Sequence, residues 1–320
     1  MPTTVHFATN RALTGPAADW RSYGTEIVAP SDPLAVTYGT AFVDNTDLTA
    51  DKTGLIEEIR NTQQGGFHPE TIPDLSAPGR NLLVFIHGFD NSFDNAITRA
   101  AFNREWLTQS GVADADTTVI AFTWPSLGQL LSLPLPWADY FHDQTMAGQS
   151  GLHIRSFFEN LQPIIHSARE NGSRVFLLAH SMGNWALQAG VESWSSHGDD
   201  AFLFDEAFLA AADEIYTSFD YPLPGRLSGL SQMAGRISTY YSASDLVLTV
   251  SNTINGIRRL GQDGPRNRAD PARFPAADYR MVDCSHCTDY DVDFASSHQY
   301  YRRSPGVRDD IAAVMAATVA

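Results

Sequence analysis

Positive charge is scarce in this sequence. Of its 320 residues only 21 are Lys or Arg, with Lys52 the single lysine, against 37 Asp or Glu, so the formal net charge is −16. Proteins that bind nucleic acids or anionic membranes do so through clustered Lys and Arg side chains. The charge balance therefore argues against both kinds of partner.

Long apolar runs and cysteines are also scarce. No run reaches the length of a membrane span, and the first ten residues lack the basic start and apolar stretch of a signal peptide. We therefore expect a cytoplasmic protein without a transmembrane segment. Cys284 and Cys287 are the only cysteines, too few for a disulfide framework. They also lack the second pair of a structural zinc site, so we expect a local disulfide or two free thiols, and no metal.

Short apolar runs alternate with segments of helical spacing along most of the chain. Strands are predicted at residues 4–8, 36–43, 82–86, 117–122, 175–179, 206–211, 237–241 and 279–282. Helices are predicted at residues 55–59, from the N-cap Ser92 to Trp106, at residues 149–171, from Met182 to Val191, and at residues 308–319. This alternation favours one α/β domain over residues 1–320, with a mainly parallel sheet and helices on both faces. Residues 1–80 supply N-terminal strands and a loop.

One strand-to-helix junction has the sequence of a nucleophile turn. Residues 175–179 are an uninterrupted apolar strand, and Ser181 follows where helical spacing begins. A serine on such a turn is held in a strained backbone with its hydroxyl exposed above the sheet. Small residues are needed two before and two after it, and Ala179 and Gly183 meet this need, although Gly is usual at both places. The alternative is an ordinary strand followed by a helix with Ser181 as its N-cap.

Other chemically useful side chains follow the remaining strands. At predicted strand ends, or in the loop after the last strand, lie His87, Asp213, Asp245 and His298. Open parallel sheets bind ligands beyond the carboxyl ends of their strands. In hydrolases with this kind of sheet, a catalytic serine is followed in the chain by its acid and then by its histidine. Asp213 and Asp245 are both possible acids, and His286 and His298 are the histidines that remain after them.

Together these segments resemble the α/β-hydrolase superfamily, and more closely the bacterial esterase/lipase-like family labelled as α/β hydrolases of unknown function. The resemblance covers most of the chain and rests on residues 7–11, 87–89, 124–126, 179–183, 241–245 and 297–301. It implies an α/β-hydrolase fold in which Asp245 is the acid and His298 is the base. Asp213 and His286 stay open as the alternative acid and base.

The residue types suit acyl transfer. A serine hydroxyl is a poor nucleophile at neutral pH and needs an adjacent base. His298 would accept its proton and return it to the leaving group, while Asp245 would hold the imidazole tautomer. The tetrahedral intermediate needs two N–H donors, for which the backbone amides of Met182 and Phe89 are the candidates. We expect no cofactor.

An apolar segment broken by prolines follows the strand that ends near Phe122. We predict that residues 127–141, within a possible lid segment at residues 125–148, form a lid or a wall for substrate. The alternative is that they pack on a neighbouring helix. The candidate substrate-binding side chains are His87, Trp124, Leu131, Leu133, Leu135 and Trp137. We expect His87 to shape the loop that carries the oxyanion donor rather than to titrate.

The sequence therefore predicts a serine hydrolase that cleaves small-molecule carboxylic esters through an acyl-enzyme. The preference for an ester over an amide comes from the family resemblance, and the apolar segment suggests an apolar acyl or alcohol group. Two alternatives would use the same fold. One is an acyltransferase that hands the acyl group to an alcohol or amine, and the other is a binding protein without activity.

Overall fold

The described part of the chain is built on a nine-stranded sheet, with a second sheet of two strands. A computed structural model describes residues 2–51, 54–111, 117–128, 137–198 and 201–317. The strands are β1 (Thr3–Thr9), β2 (Arg11–Leu13), β3 (Tyr23–Ile27), β4 (Thr37–Asp44), β5 (Leu55–Gln64), β6 (Asn81–Ile86), β7 (Thr117–Thr123), β8 (Val175–His180), β9 (Glu206–Ala210), β10 (Ile237–Tyr241) and β11 (Tyr279–Asp283). The α-helices are α1 (Ile72–Leu75), α2 (Phe93–Thr108), α3 (Trp137–Gln149), α4 (Gly151–Glu170), α5 (Gly183–Ser196), α6 (Leu230–Met233), α7 (Leu246–Asn255), α8 (Leu260–Asp263) and α9 (Pro305–Ala316).

The large sheet is mainly parallel. Its strand order is β11-β10-β9-β8-β6-β7-β1-β4-β5. Every neighbouring pair from β11 to β1 is parallel, and β4 and β5 are added antiparallel at the other edge. The carboxyl ends of β6, β8, β9 and β10 therefore open on the same edge, where ligands bind in sheets of this kind. The predicted α/β fold with a mainly parallel sheet is confirmed.

Helices cover both faces of this sheet. In β6, Leu82, Val84 and Ile86 belong to one buried cluster, which includes residues of α4 and α5. The alternate residues, Leu83 and Phe85, belong to a second buried cluster, which includes residues of α2 and α9. Successive side chains of a strand face opposite sides of a sheet, so a strand covered on both sides is apolar throughout. This is the pattern that the sequence shows at residues 82–86.

The helix predicted at residues 55–59 is wrong, because these residues belong to β5. The register of β5 against β4 pairs Ile56 with Val43, but it pairs Ile59 with Ala41. One extra residue therefore lies in β5 between these pairs, which is a β-bulge. The bulge brings Ile56 and Ile59 to the same buried face although they are three residues apart. A spacing of three in the sequence was thus produced by an irregular strand rather than by a helix.

The helices agree with the sequence pattern in part. Ser92 caps α2 as predicted, with its Oγ accepting a hydrogen bond from the Asn95 N–H at 3.4 Å. The long helix expected at residues 149–171 is α4, but the segment before it ends in a helix of its own, α3, which the pattern does not predict. The same is true of α7, which begins directly after Asp245. In the part of the chain described, no helix combines the length and the hydropathy needed to cross a bilayer.

Replacing Ile56 by Ala should destabilise the protein far more than replacing its neighbour Leu55. Ile56 is 4% exposed and Leu55 is 58% exposed. Truncating a buried Ile or Leu costs about 2–5 kcal/mol, whereas most surface changes stay within about 0.5 kcal/mol. Urea unfolding of both variants beside the wild type measures the difference. Equal midpoints for the two variants would contradict the bulged strand.

Candidate active site

Ser181 lies on a sharp turn between β8 and α5. Its φ is 54°, a left-handed conformation that is uncommon for residues other than glycine. Two backbone hydrogen bonds hold the turn. The Ser181 N–H donates to the Ala210 carbonyl at 3.0 Å, and the Ser181 carbonyl accepts from the Asp213 N–H at 3.0 Å. The structure thus places this serine on the kind of strained strand-to-helix turn that the sequence predicts.

Two glycines let the loops around Ser181 approach one another. A Cβ atom at Gly183 would lie 2.4 Å from the carbonyl oxygen of His87 and 2.5 Å from that of Ile86. A Cβ atom at Gly88 would lie 2.7 Å from the Cβ of Ser181. Non-bonded atoms do not approach so closely, so both positions require glycine for this backbone. The same distances place the loop after β6 directly beside Ser181.

His298 is held by the carboxylate of Asp245. The distance from His298 Nδ1 to Asp245 Oδ2 is 2.7 Å, and both side chains are buried. The second oxygen of Asp245 accepts a hydrogen bond from the Leu248 N–H at 2.9 Å, so that Asp245 is the N-cap of α7. A helix N-terminus stabilises a negative charge. The start of α7 therefore positions this carboxylate, and its helix dipole interacts favourably with a negative charge there.

The other ring nitrogen of His298 is open. Nε2 is buried and has no hydrogen-bond partner among the residues that the structure describes. Because a carboxylate can only accept, Nδ1 carries the proton that is donated to Asp245, and Nε2 keeps a lone pair. His298 and Ser181 line the same cavity. That cavity is therefore lined by an imidazole whose Nε2 has no partner among the described residues and by the side chain of Ser181.

Of the two alternatives considered from the sequence, Asp213 lines the same cavity as Ser181, whereas His286 does not. Asp213 accepts hydrogen bonds from the hydroxyls of Tyr140 (2.9 Å) and Ser251 (2.5 Å), and it lies 3.2 Å from Nε of the buried Arg259. Its oxygens are thus engaged in a network that contains no histidine. His286 is exposed on the loop after β11 and is not among the residues that line the cavity. The structure brings Asp245, rather than Asp213, to His298.

The two candidate oxyanion donors flank the serine. Met182 follows it directly, and Phe89 lies on the loop after β6 and lines the cavity. Within the described residues, neither backbone N–H has a carbonyl acceptor. The side chain of Asn91 fixes the loop by donating to the carbonyls of Gly88 (3.0 Å) and Phe89 (2.8 Å). Both amides are therefore available in a loop that is already held in place.

His87 and Trp124 support this loop from behind. The Trp124 backbone N–H donates to His87 Nε2 at 3.1 Å, and the indole N–H donates to the His87 carbonyl at 2.8 Å. The two rings are stacked, and both side chains are buried. Burial lowers the pKa of His87 to about 3, so the ring is neutral at physiological pH. Neither residue lines the cavity, and so their positions do not support the substrate contacts predicted for them.

Arg11 is a second support, and the sequence pattern gave little sign of its role. Its buried guanidinium donates to the carbonyls of Asn91 (2.6 Å) and Ser126 (3.1 Å) and to the Thr123 hydroxyl (2.9 Å). The buried carboxylate of Asp143 accepts from the Ser126 hydroxyl and from the Asp90 N–H (3.2 Å). Arg11 thus connects the end of β7 to the loop after β6. In the sequence, the position of Arg11 just beyond β1 is the only local indication of this role.

The cavity beside Ser181 has a volume of about 610 Å³. It combines apolar side chains, among them Val247, Leu248 and Ile254, with charged ones. Asp51 and Arg303 both line it and form an ion pair with each other. Of the predicted wall, Gly128 and Tyr140 line the cavity, whereas Leu131, Leu133 and Leu135 lie outside the described residues. Trp137 begins α3, but its side chain also lies outside what is described.

His180 packs against the loop of His298. Its Nε2 lies 3.1 Å from the His298 carbonyl oxygen, and the rings of the two histidines are 4.9 Å apart. Burial, together with the neighbouring His298, holds the pKa of His180 well below its usual range. The neutral ring can therefore donate its N–H to the carbonyl. His180 acts on the position of the His298 backbone rather than as a second base.

Cys284 and Cys287 are free thiols in the structure. They lie in the turn that follows β11, with the Cys287 N–H donating to the Cys284 carbonyl at 3.2 Å. Of the two states expected from the sequence, the structure shows the reduced one. Within the described ranges, no group of three or more His, Cys, Asp or Glu side chains is arranged to hold a metal ion.

The chain belongs to a family of α/β hydrolases. Its residues 69–316 match the family described as "Alpha/beta hydrolase of unknown function (DUF900)", which confirms the resemblance inferred from the sequence motifs. Among solved structures, a lipase B from Aspergillus fumigatus is similar at 14% identity, with a TM-score of 0.36. The match covers 76% of this chain and 62% of the lipase, so the chain spans less than two thirds of that protein's length. No curated protein matches the chain.

Replacing Gly183 by Ala should destabilise the fold because its Cβ would meet two backbone carbonyls. Overpacking of this kind costs about 1–3 kcal/mol. The matched control is Gly148→Ala in α3, where the nearest atom to the new Cβ is a side-chain nitrogen of Trp185 at 3.4 Å. Ala is favoured over Gly within a helix by about 1 kcal/mol, so the control should be neutral or stabilising. Thermal unfolding compares the two, and a stable Gly183→Ala protein would contradict the close approach.

The neutral state of His87 should make stability depend on pH. In the unfolded chain His87 takes up a proton near pH 6.5, whereas in the folded protein its pKa is about 3. The unfolded state therefore binds more protons as the pH falls below 6.5, and the free energy of unfolding decreases by about 1.4 kcal/mol per pH unit for this group. Denaturant unfolding between pH 7 and pH 5 should show a shallower slope for His87→Gln than for wild type. Identical slopes would mean that His87 is not buried in its neutral form.

Proposed function

We propose that this member of the family is a serine hydrolase that cleaves carboxylic esters through an acyl-enzyme intermediate. Ser181 is the nucleophile, His298 the base and Asp245 the acid. The observation that carries the proposal is the 2.7 Å contact between Asp245 and His298, whose Nε2 is left open in the cavity that Ser181 lines. The chain order of serine, acid and histidine is that of α/β hydrolases.

The reaction follows from these positions. Ser181 Oγ attacks the ester carbonyl while its proton passes to His298 Nε2, and Asp245 stabilises the imidazolium that forms. The tetrahedral intermediate collapses as His298 returns the proton to the leaving alkoxide, which departs as the alcohol. A water molecule then attacks the acyl-enzyme in the same way, releasing the acid and restoring the Ser181 hydroxyl.

The backbone amides of Met182 and Phe89 are the proposed oxyanion donors. How strongly they stabilise the tetrahedral intermediate depends on their being fixed before the reaction, since donors that need no rearrangement stabilise developing charge most effectively. The support for this assignment is that Asn91 and Arg11 already hold the loop of Phe89. Loss of one such donor typically lowers the rate by about 10²–10³-fold.

The proposed substrate is a small ester with an apolar part. Val247, Leu248 and Ile254 provide apolar surface in the cavity, and Phe89 lines it beside the serine. We also propose that Gly128 and Tyr140, which line the cavity, form part of a covering wall within the segment 125–148. Residues 129–136 between them lie outside the described part of the chain. The choice of an ester over an amide rests on the esterase-like family resemblance.

The test is covalent labelling of the protein with a fluorophosphonate, followed by mass spectrometry. Wild type should be labelled at Ser181, and Ser181→Ala and His298→Gln should not be. Asp245→Asn should reduce kcat for ester hydrolysis by roughly 10⁴-fold, as loss of the acid does in enzymes with this triad. Asp213→Asn is the matched comparison, and it should retain much more activity. A larger loss of activity in Asp213→Asn than in Asp245→Asn would identify Asp213 as the acid.

Hydrolysis is then measured with 4-nitrophenyl esters of increasing acyl length, with and without an added alcohol. Release of free acid supports a hydrolase, and transfer to the added alcohol would identify an acyltransferase. Failure of a folded wild-type protein to be labelled would overturn the proposal and favour a binding protein on this fold.

A further inference from the structure

Among the residues that the structure describes, two arginine side chains in the cavity have no ion-pair partner. Arg99, on α2, and Arg302, which follows His298 by four residues, both line the cavity beside Ser181. Arg302 is 3% exposed. The Nε atom of each guanidinium is buried and has no hydrogen-bond partner among the residues described. In the same part of the chain, neither side chain forms an ion pair.

Other buried arginines of this protein are differently placed. Arg11 donates to several backbone and hydroxyl oxygens, and Arg226 is bonded to the Glu214 carboxylate. The nitrogens of Arg259 also have no hydrogen-bond partner among the described residues, but its Nε lies within ion-pair distance, 3.2 Å, of the Asp213 carboxylate. Burial of a charge is costly unless the charge is paired. The cavity thus holds cations whose cost of burial would be offset by an anion that is not part of the protein.

The charges around the two arginines are of both signs. Burial lowers the pKa of Arg302 to about 9, and the nearby Arg99 and Arg303 act in the same direction. The Asp51 carboxylate raises the pKa of Arg302, but it is itself paired with Arg303. Asp90, which also lines the cavity, raises the pKa of Arg99. Three guanidiniums, those of Arg99, Arg302 and Arg303, thus line a cavity that is also lined by carboxylates, namely those of Asp51, Asp90, Asp94 and Asp213.

These guanidiniums lie close to the reacting groups. Arg99 and Arg302 both contribute to the low pKa of His180, which directly precedes Ser181. The apolar side chains of Val247, Leu248 and Ile254 line the same cavity. A molecule bound there would therefore meet the nucleophile, an apolar surface and unpaired positive charge at once.

We propose that Arg99 and Arg302 bind an anionic group of the substrate, a carboxylate or a phosphate. The substrate class is then an ester whose acyl or alcohol part carries that group as well as an apolar portion. A guanidinium presents a fork of N–H donors that matches both oxyanions. This inference rests on the proposed ester hydrolysis, whose failure is distinguished below.

The test compares two esters of equal acyl length, mono-4-nitrophenyl glutarate and 4-nitrophenyl pentanoate. Wild type should have the higher kcat/KM for the glutarate ester. Arg302→Gln and Arg99→Gln should each lower kcat/KM for that ester by about 10- to 100-fold, the usual effect of losing a hydrogen bond to a charged group. Hydrolysis of the pentanoate ester should change little. Arg104→Gln is the matched control, because Arg104 lies on α2 as Arg99 does but is paired with Glu105.

Equal losses for both esters, or no loss for either, would overturn the proposal. The labelling of Ser181 by a neutral fluorophosphonate should proceed at the wild-type rate in Arg302→Gln, which shows that the nucleophile is intact. Arg302→Lys keeps the positive charge but loses the forked arrangement of N–H donors. This variant is tested instead of Arg302→Gln if Arg302→Gln does not fold. Its kcat/KM for the glutarate ester should fall between those of wild type and Arg99→Gln.

Direct binding separates this proposal from the proposed function. Calorimetry with glutarate and with inorganic phosphate should show binding to wild type and at least tenfold weaker binding to Arg302→Gln, whether or not Ser181 reacts. The anion that binds more tightly identifies the group as a carboxylate or a phosphate. Equal binding to both proteins, or none to wild type, would overturn the anion site even if Ser181 is labelled.

Discussion

The close approach of two loops at the edge of the sheet is the constraint on which the site depends. Gly183 lies against the carbonyl oxygens of Ile86 and His87, and Gly88 lies against the side chain of Ser181. These contacts force the chain to turn so sharply after β8 that Ser181 takes a left-handed conformation. The same contacts bring the amide of Phe89 next to the serine. One steric requirement therefore positions both the proposed nucleophile and a proposed oxyanion donor.

Two polar side chains buried by this arrangement are stabilised in opposite ways. The His87 ring is neutral, so that it donates a hydrogen bond to the Gly88 carbonyl and accepts one from the Trp124 N–H. Arg11 supplies enough donors for the carbonyl oxygens that surround it. Buried polar groups rigidify a structure when all of them find partners. The loop after β6 is thereby fixed before any ligand binds.

The sequence predicts the centre of this structure better than its edges. Strands β6 and β8 are apolar without interruption because both of their faces are covered, so their positions and the serine that follows β8 could be predicted. The pattern at residues 55–59 predicts a helix rather than strand β5, because a bulge changes the spacing of the buried residues in that strand. Asp213 and Asp245 follow adjacent strands, so their positions alone do not distinguish them; the family resemblance implies Asp245, and the structure brings Asp245 to His298. Nothing local in the sequence indicates that Arg99 and Arg302 have no ion-pair partner within the described residues, because that depends on residues far apart in the chain.

The ion pair between Asp51 and Arg303 joins two distant parts of the chain beside the cavity. Its partners are 252 residues apart, and the carboxylate side chain is 73% exposed. An exposed ion pair contributes only about 0–1 kcal/mol, and it is screened by salt. Raising the ionic strength therefore weakens the connection between these two distant parts of the chain on that side of the cavity.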